Sequence, residues 1–241
     1  MGSENKEWFS AWFDTEHYHR LYAHRDEGEA EFFLQRVMEA LHVPPGLEVL
    51  DLACGRGRHA RILHRMGHRV TGLDIAPRNI EYCLRHTLPG MQFQVGDMRR
   101  LNDSDAFDVV LLLFTSFGYF SDAENTGVLE NVYRALRKGG LLILDFFNAR
   151  LLAGTERTES IKIIHGHRYR IVKYATNNHI CKDIFVDEDT AFHEKVRLYS
   201  AQDLREMLQK SHFEILQEWG SYALDPFDEA ASQRCILSAR K

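Results

Sequence analysis

The sequence predicts a doubly wound α/β protein. Apolar runs of strand length alternate with helical stretches between residues 45 and 148, a glycine-bearing turn joins the first strand to the next helix, and an acid stands at or just past the end of each of the first three strands. The 241 residues suffice for one α/β core, alone or with a small insertion.

Residues 7–42 read as helical and rich in aromatics. Phe32, Phe33, Val37 and Leu41 fall at helical spacing, and Val43-Pro-Pro-Gly46 ends the run. Leu47–Leu52 is a buried strand, followed by the glycine turn and a helix over Arg58–Met66 that Gly67 closes. His68–Asp74 is the second strand, and Pro77 opens a helix to His86. Met91–Val95 and Phe107–Phe114 are the third and fourth strands. Asp122–Leu136 is a helix closed by Arg137-Lys-Gly-Gly140, and Leu141–Phe146 is the fifth strand. The rhythm then changes. Ser160–His165, Arg168–Ala175, Ile180–Val186 and Ala191–Tyr199 are short runs with turn residues between them, as in a small antiparallel sheet. Ser200 caps a helix to Lys210, and Phe213–Gly220 and Arg234–Arg240 add two strands.

Composition narrows the function. Apolar residues make up 44% and charged residues 27%, and no apolar run reaches the ~20 residues that span a bilayer. The N-terminus carries no signal-peptide apolar segment, and the four cysteines are scattered, so a cytoplasmic protein with free thiols is expected. The net charge of −5 argues against a nucleic-acid partner. No metal cluster stands out among the 13 histidines, so no metal is expected.

The chemistry sits in Val49-Leu-Asp-Leu-Ala-Cys-Gly-Arg-Gly57-Arg-His-Ala60. Gly55 and Gly57 permit positive φ and close approach of a ligand, and the following helix offers unpaired N–H groups. The spacing also satisfies a loose dinucleotide fingerprint. Asp51 separates the two readings. A carboxylate there repels a pyrophosphate and suits the ammonium of a methionine moiety. Asp74 can accept from ribose hydroxyls, which either cofactor carries; it also reads as a helix cap. Asp97 with Met98, after the third strand, can meet an adenine.

With these residues the chain resembles the class I S-adenosylmethionine-dependent methyltransferases, in their methyltransferase domain 25 branch. The likeness rests on the glycine loop and on Gly72-Leu-Asp-Ile, Gly96-Asp-Met, Phe107-Asp-Val-Val and Leu136-Arg-Lys-Gly-Gly-Leu-Leu, over residues 45–148. It implies a seven-stranded Rossmann-like sheet with the last strand antiparallel. It also implies S-adenosyl-L-methionine as cofactor, held by Asp51, Gly55, Gly57, Asp74, Asp97 and Met98; Ala53, Ile75 and Phe114 are further cofactor-binding candidates. Ala53 departs from the first glycine of the family loop, and the turn is expected to survive. Trp12-Phe-Asp14, Tyr18, Tyr22 and Arg25 match an N-terminal segment that tends to cover the cofactor, with Tyr22 or Arg25 on its carboxylate; ordinary helix packing explains them as well.

The expected organisation is a helical cap over 1–44, a cofactor-binding core over 45–150, a β insertion over 151–199 serving as substrate lid, and a helix and strands over 200–241 completing the core. Acceptor candidates are Thr115, Ser116, Tyr119, Asn148 and Tyr222, with His193 and Glu194 in the inserted sheet. The expected reaction is methyl transfer to an N or O nucleophile of a small molecule. Rival readings are a nicotinamide-dependent oxidoreductase and a non-catalytic S-adenosylmethionine-binding module. The sequence names no catalytic base and is silent on oligomeric state. Arg58, Arg61, Arg65 and His68 read as one solvated helix face.

Overall fold

The computed structural model describes residues 7–23 and 27–241. In chain order the elements are α1 (Trp8–Trp12), α2 (Glu16–Leu21), α3 (Glu27–Ala40), β1 (Glu48–Leu52), α4 (Arg58–Arg65), β2 (Arg69–Asp74), α5 (Pro77–Arg85), β3 (Met91–Val95), β4 (Phe107–Leu112), α6 (Asp122–Ala135), β5 (Leu136–Phe147) and α7 (Ala149–Leu152). There follow β6 (Thr158–Ile164), β7 (His167–Ala175), β8 (His179–Val186), β9 (Thr190–Arg197), α8 (Ala201–Lys210), β10 (Glu214–Trp219) and β11 (Arg234–Arg240).

Seven strands form one sheet in the order β10-β11-β5-β4-β1-β2-β3. β11 runs antiparallel to both neighbours, and the other strands run parallel to one another. Strand alternation divides the core into two layers. Leu50, Leu52, Val110, Leu112, Leu142 and Leu144 pack with Val128, Leu129, Leu204 and Leu208 of α6 and α8. Val49, Val109, Leu111, Ile143 and Ile236 pack with Phe33, Leu34, Val37, Ile62 and Leu63 of α3 and α4. The strand order reverses between β1 and β4, which opens a crevice at their carboxyl ends, the place where open α/β sheets bind ligands.

β6–β9 form a separate antiparallel sheet. Its apolar face packs on α1 and α2: Tyr169, Ile184 and Val186 are buried with Trp12 and Leu21 against Trp8, Phe13, Tyr18 and Tyr22.

The structure departs from the sequence reading in that β4 ends at Leu112 rather than Phe114 and α7 is an added turn, and at two further places with a local cause. The 7–42 stretch holds two one-turn helices before α3, because Thr15 leaves the helix to cap α2, its hydroxyl accepting from the Tyr18 amide. β5 starts at Leu136 rather than Leu141. Leu136 pairs with Phe107, the chain loops out through Gly139 at φ +78°, and pairing resumes at Leu141. Sequence alone shows the two glycines as an end, whereas here they form a bulge.

Candidate functional site

A cavity of about 570 Å³ opens at the β1/β4 crevice. Its floor is the glycine turn and the segment after β4, and its roof is α1, α2 and the second sheet. A second pocket of about 30 Å³ adjoins it past Phe13, Ala53 and Tyr119, at the ends of β2 and β3.

Asp51 lies at the base of the large cavity and is 1% exposed. Its Oδ2 accepts from the Ala60 amide at 3.1 Å, and among the described residues no basic side chain bonds it. Burial pushes its carboxyl up to about 7, against the pull of the Ala60 N–H. Above it the turn is left-handed at three residues: Ala53 at φ +62°, Gly55 at +55° and Gly57 at +72°. No atom lies within 4 Å of where a Gly55 Cβ would stand, so that backbone faces open cavity. A Gly57 Cβ would meet Cys83 Sγ at 3.0 Å and Phe93 at 3.2 Å. Gly57 therefore serves the packing of the turn on α5 and β3, and it lines neither pocket.

Asp74 is already engaged. Oδ2 accepts from Gly55 N at 2.8 Å, and Oδ1 accepts from Ala76 N at 2.9 Å and Asn79 Nδ2 at 3.2 Å. Burial raises its pKa, opposed by those three donors. Only Oδ2 keeps a spare lone pair, so Asp74 offers one acceptor position to a ribose rather than the two expected. Asn79 Oδ1 in turn bonds His19 Nε2 at 2.6 Å, which ties α2 to α5.

Asp97, Met98 and Ile75 line the small pocket with Gly96, beneath Phe9, Phe13, Tyr119 and Phe120. The Asp97 carboxylate is held by Arg99, through Nη2 at 2.6 Å and the backbone amide at 2.9 Å. Burial acts to raise the Asp97 pKa, and the Arg99 contacts outweigh it, so the group lies below its ordinary value.

At the far side Phe114 and Thr115 are consecutive left-handed residues, φ +54° and +65°. Asp145, fully buried, braces them: Oδ2 accepts from Phe114 N at 2.8 Å and its carbonyl accepts from Thr115 N at 3.0 Å. Arg234 pairs with Asp145 Oδ1 at 2.6 Å and donates to Thr115 Oγ1 at 3.1 Å. Tyr222 donates to Asp145 Oδ2 at 3.0 Å; burial and then the Asp145 charge raise its pKa.

Thr115, Ser116 and Tyr119 line the cavity. Asn148 does not. It caps α7, accepting from Arg150 N, and its amide donates to Glu229 and Ser232 carbonyls. Tyr222 stands behind the wall on Phe33 and Phe114, committed to Asp145. Arg25 lies outside the described residues. The α4 arginines are not one solvated face. Arg58 stacks over Phe114 at 4.4 Å, Arg65 pairs with Glu27 of α3 at 2.8 Å, and His68 is buried.

Tyr22 sits in a polar group on the roof. Glu194 accepts from Tyr22 Oη at 2.7 Å and from Trp12 Nε1 at 2.7 Å, and pairs with Lys182 at 3.0 Å. Lys182 also donates to Tyr22 Oη at 2.6 Å. His193, one residue away and on the opposite face, pairs with Asp183 at 2.7 Å. Asp145, Arg234, Lys173, Lys182, His19 and His59 also belong to the site or its walls and were not singled out from the sequence. An acid inside the apolar run Leu141–Phe147 was a readable signal for Asp145. The lysines had none, because strand pairing alone brings them to the cavity.

Comparison with known proteins gives these residues a context. Residues 49–140 match the methyltransferase domain family. A phthiotriol/phenolphthiotriol dimycocerosates methyltransferase of Mycobacterium leprae is 34% identical over 139 residues, 50% of each chain. The chain thus spans about half the length of that curated relative. A cypemycin N-terminal methyltransferase of a Streptomyces species is 24% identical over 206 residues, 81% of this chain and 84% of that one. Among solved structures, an S-adenosylmethionine-dependent methyltransferase from Clostridium acetobutylicum superposes with a TM-score of 0.76 at 18% identity, covering 92% of this chain and 95% of the other. The sugar N-methyltransferase KedS8 from a Streptoalloteichus species gives 0.73 at 19% identity, covering 93% and 92%. The likeness is one of fold and extends over nearly the whole chain.

Proposed function

We infer that this chain is a class I S-adenosylmethionine-dependent methyltransferase that methylates an N or O nucleophile of a small molecule. The observation that carries the reading is Asp51, a buried carboxylate that no described basic side chain bonds, beneath an open glycine turn at the switch point of the sheet. A buried carboxylate needs a positive partner, and the ammonium of the cofactor is one.

The residues present fit that cofactor. Asp51 takes the ammonium, the Gly55 turn lets the backbone come close, Asp74 Oδ2 accepts one ribose hydroxyl, and Ile75 and Met98 flank the base. Bound there, the cofactor supplies a methyl group already activated on a sulfonium. The chain then acts chiefly by placement and exclusion of water. Phe114, held left-handed by Asp145, presents its ring to the cavity, and Thr115, Ser116 and Tyr119 offer hydroxyls to the acceptor. The described residues of the 1–44 segment and residues 151–199 close over the cofactor core as cap and lid.

Calorimetric titration with S-adenosylmethionine, S-adenosylhomocysteine and NAD(P)H tests this. Binding of the first two, with S-adenosylhomocysteine formed across a panel of amines and alcohols, is the expected result. Affinity for the nicotinamide cofactor alone would overturn it. Tight binding without turnover of any acceptor would favour the non-catalytic module.

A further inference from the structure

The roof of the cavity carries a polar row that acceptor binding has to answer. In the second sheet, Thr158 of β6 pairs with Lys173 of β7, Lys173 with Lys182 of β8, and Lys182 with Glu194 of β9. Directly paired residues share a face. Lys173, Lys182 and Glu194 all line the cavity, so the row crosses the sheet on its inner side. On that face the neighbouring rows are apolar: Ile171, Ile184 and Phe192 on one side, Ala175, Ile180 and Val196 on the other.

Charge along the row does not balance. Glu194 answers Lys182 at 3.0 Å and spends its remaining lone pairs on Trp12 and Tyr22. Lys173 is partly buried and has no carboxylate within ion-pair distance among the described residues. It stands beside a second ammonium, an arrangement that costs stability in a sheet. Burial, and then the charge of Lys182, lower its pKa. The other strongly basic side chains on the wall are engaged. Arg56 pairs with Glu16, Arg234 with Asp145, and Arg58 lies over Phe114. The cavity is therefore rich in cations within a chain whose net charge is −5.

We propose that Lys173 is the anion-binding residue of the acceptor subsite, so that the methyl acceptor carries a carboxylate or phosphate group. The aromatic wall of Trp8, Phe13, Tyr18 and Tyr119 gives that acceptor a flat apolar surface to lie against. An anion between Lys173 and Lys182 converts a repulsion into two charge-assisted contacts. The proposal rests on reading this cavity as the acceptor site of a methyltransferase.

The test is a titration of the intact protein loaded with S-adenosylhomocysteine, using benzoate, phenyl phosphate and the neutral benzamide as probes. An S-adenosylhomocysteine titration comes first and judges the function alone; if that ligand does not bind, the anion titrations are judged on the ligand-free protein. At least one anion is expected to bind about tenfold tighter than benzamide, and the tighter of the two anions identifies the group. Lys173→Met is expected to remove about tenfold of that affinity while leaving benzamide and S-adenosylhomocysteine unchanged, and Lys173→Arg to keep it. Equal binding of benzoate, phenyl phosphate and benzamide would overturn the proposal, as would anion affinity unchanged in a folded Lys173→Met protein, or no anion binding at all.

Discussion

Two residues of the cofactor turn carry different costs. Asp51 is held near neutrality by burial, its carboxyl pushed up to about 7. Its folded value lies above the unfolded one, so the native state holds the extra proton. The ligand-free protein therefore loses stability as pH rises from about 4 through about 7. An ammonium ligand binds the ionised form. Affinity for S-adenosylhomocysteine should rise roughly five- to tenfold between about pH 6 and about pH 7.5, and Asp51→Asn should flatten that profile and weaken binding at the upper end. Calorimetry across pH reads both, and a flat wild-type profile would place the ammonium elsewhere. Ala53 carries strain instead. Its φ of +62° is a conformation in which an alanine pays roughly 1–2 kcal/mol, part of which glycine recovers and part of which glycine loses to chain entropy. Ala53→Gly should stabilise the protein by about 0.5–1 kcal/mol in denaturant unfolding. No change would mean that the surrounding packing sets this φ without cost.

Among the elements, legibility in the sequence followed the range of the interaction. The central strands and helices were readable because burial on both faces leaves unbroken apolar runs such as Val109–Leu112, and because caps such as Ser200 bond residues three positions on. The acids at strand ends were readable for the same reason: topology puts them at one edge. What stayed hidden depended on distant pairing. Nothing near Lys182 in the chain announces Glu194, Tyr22 and Trp12, and nothing near Arg234 announces Asp145. Those hidden contacts hold elements together. Glu194 joins β9 to α1 and α2, so Glu194→Ala strands the Trp12 N–H and the Lys182 ammonium. It should cost about 2–4 kcal/mol and speed hydrogen exchange across Trp8–Leu21 more than in α6. Uniform exchange changes would show that the contact does not fasten the cap. Asp145→Ala leaves Arg234 unpaired beneath the Phe114 turn and should destabilise by about 3–5 kcal/mol, read by denaturant unfolding. Arg234→Met paired with Asp145→Leu should recover much of it.

For the whole molecule, the proposed cap over the core bears on how a ligand enters. The pocket between Asp74, Met98 and the ring cluster Phe9, Phe13, Tyr119 and Phe120 measures about 30 Å³. That is room for about two waters, not for an adenine. The rings that line it come from α1 with its following residue and from the segment after β4; Phe9 meets Phe120 edge to face at 5.1 Å and stacks with Tyr119 at 6.4 Å. The β2 and β3 ends beneath them belong to a packed sheet with its strands paired along their length. On the proposed cofactor placement, space for the base is made by moving α1, which is one turn long and anchored by Glu194, Arg99 and ring contacts rather than by the main sheet. That placement predicts that opening precedes or accompanies binding. Stopped-flow association of S-adenosylmethionine should give an observed rate that levels off with ligand concentration, the plateau reporting the opening step. Phe9→Ala removes one interlocking ring, so it should raise that plateau and lower the affinity of the closed complex. Hydrogen exchange over Trp8–Leu21 should slow when the ligand is bound, because closure over the base then has an apolar partner to cover. A rate that climbs linearly to diffusion-limited values, with unchanged exchange in α1, would mean that the base is held outside the ring cluster and that the cap does not gate the site.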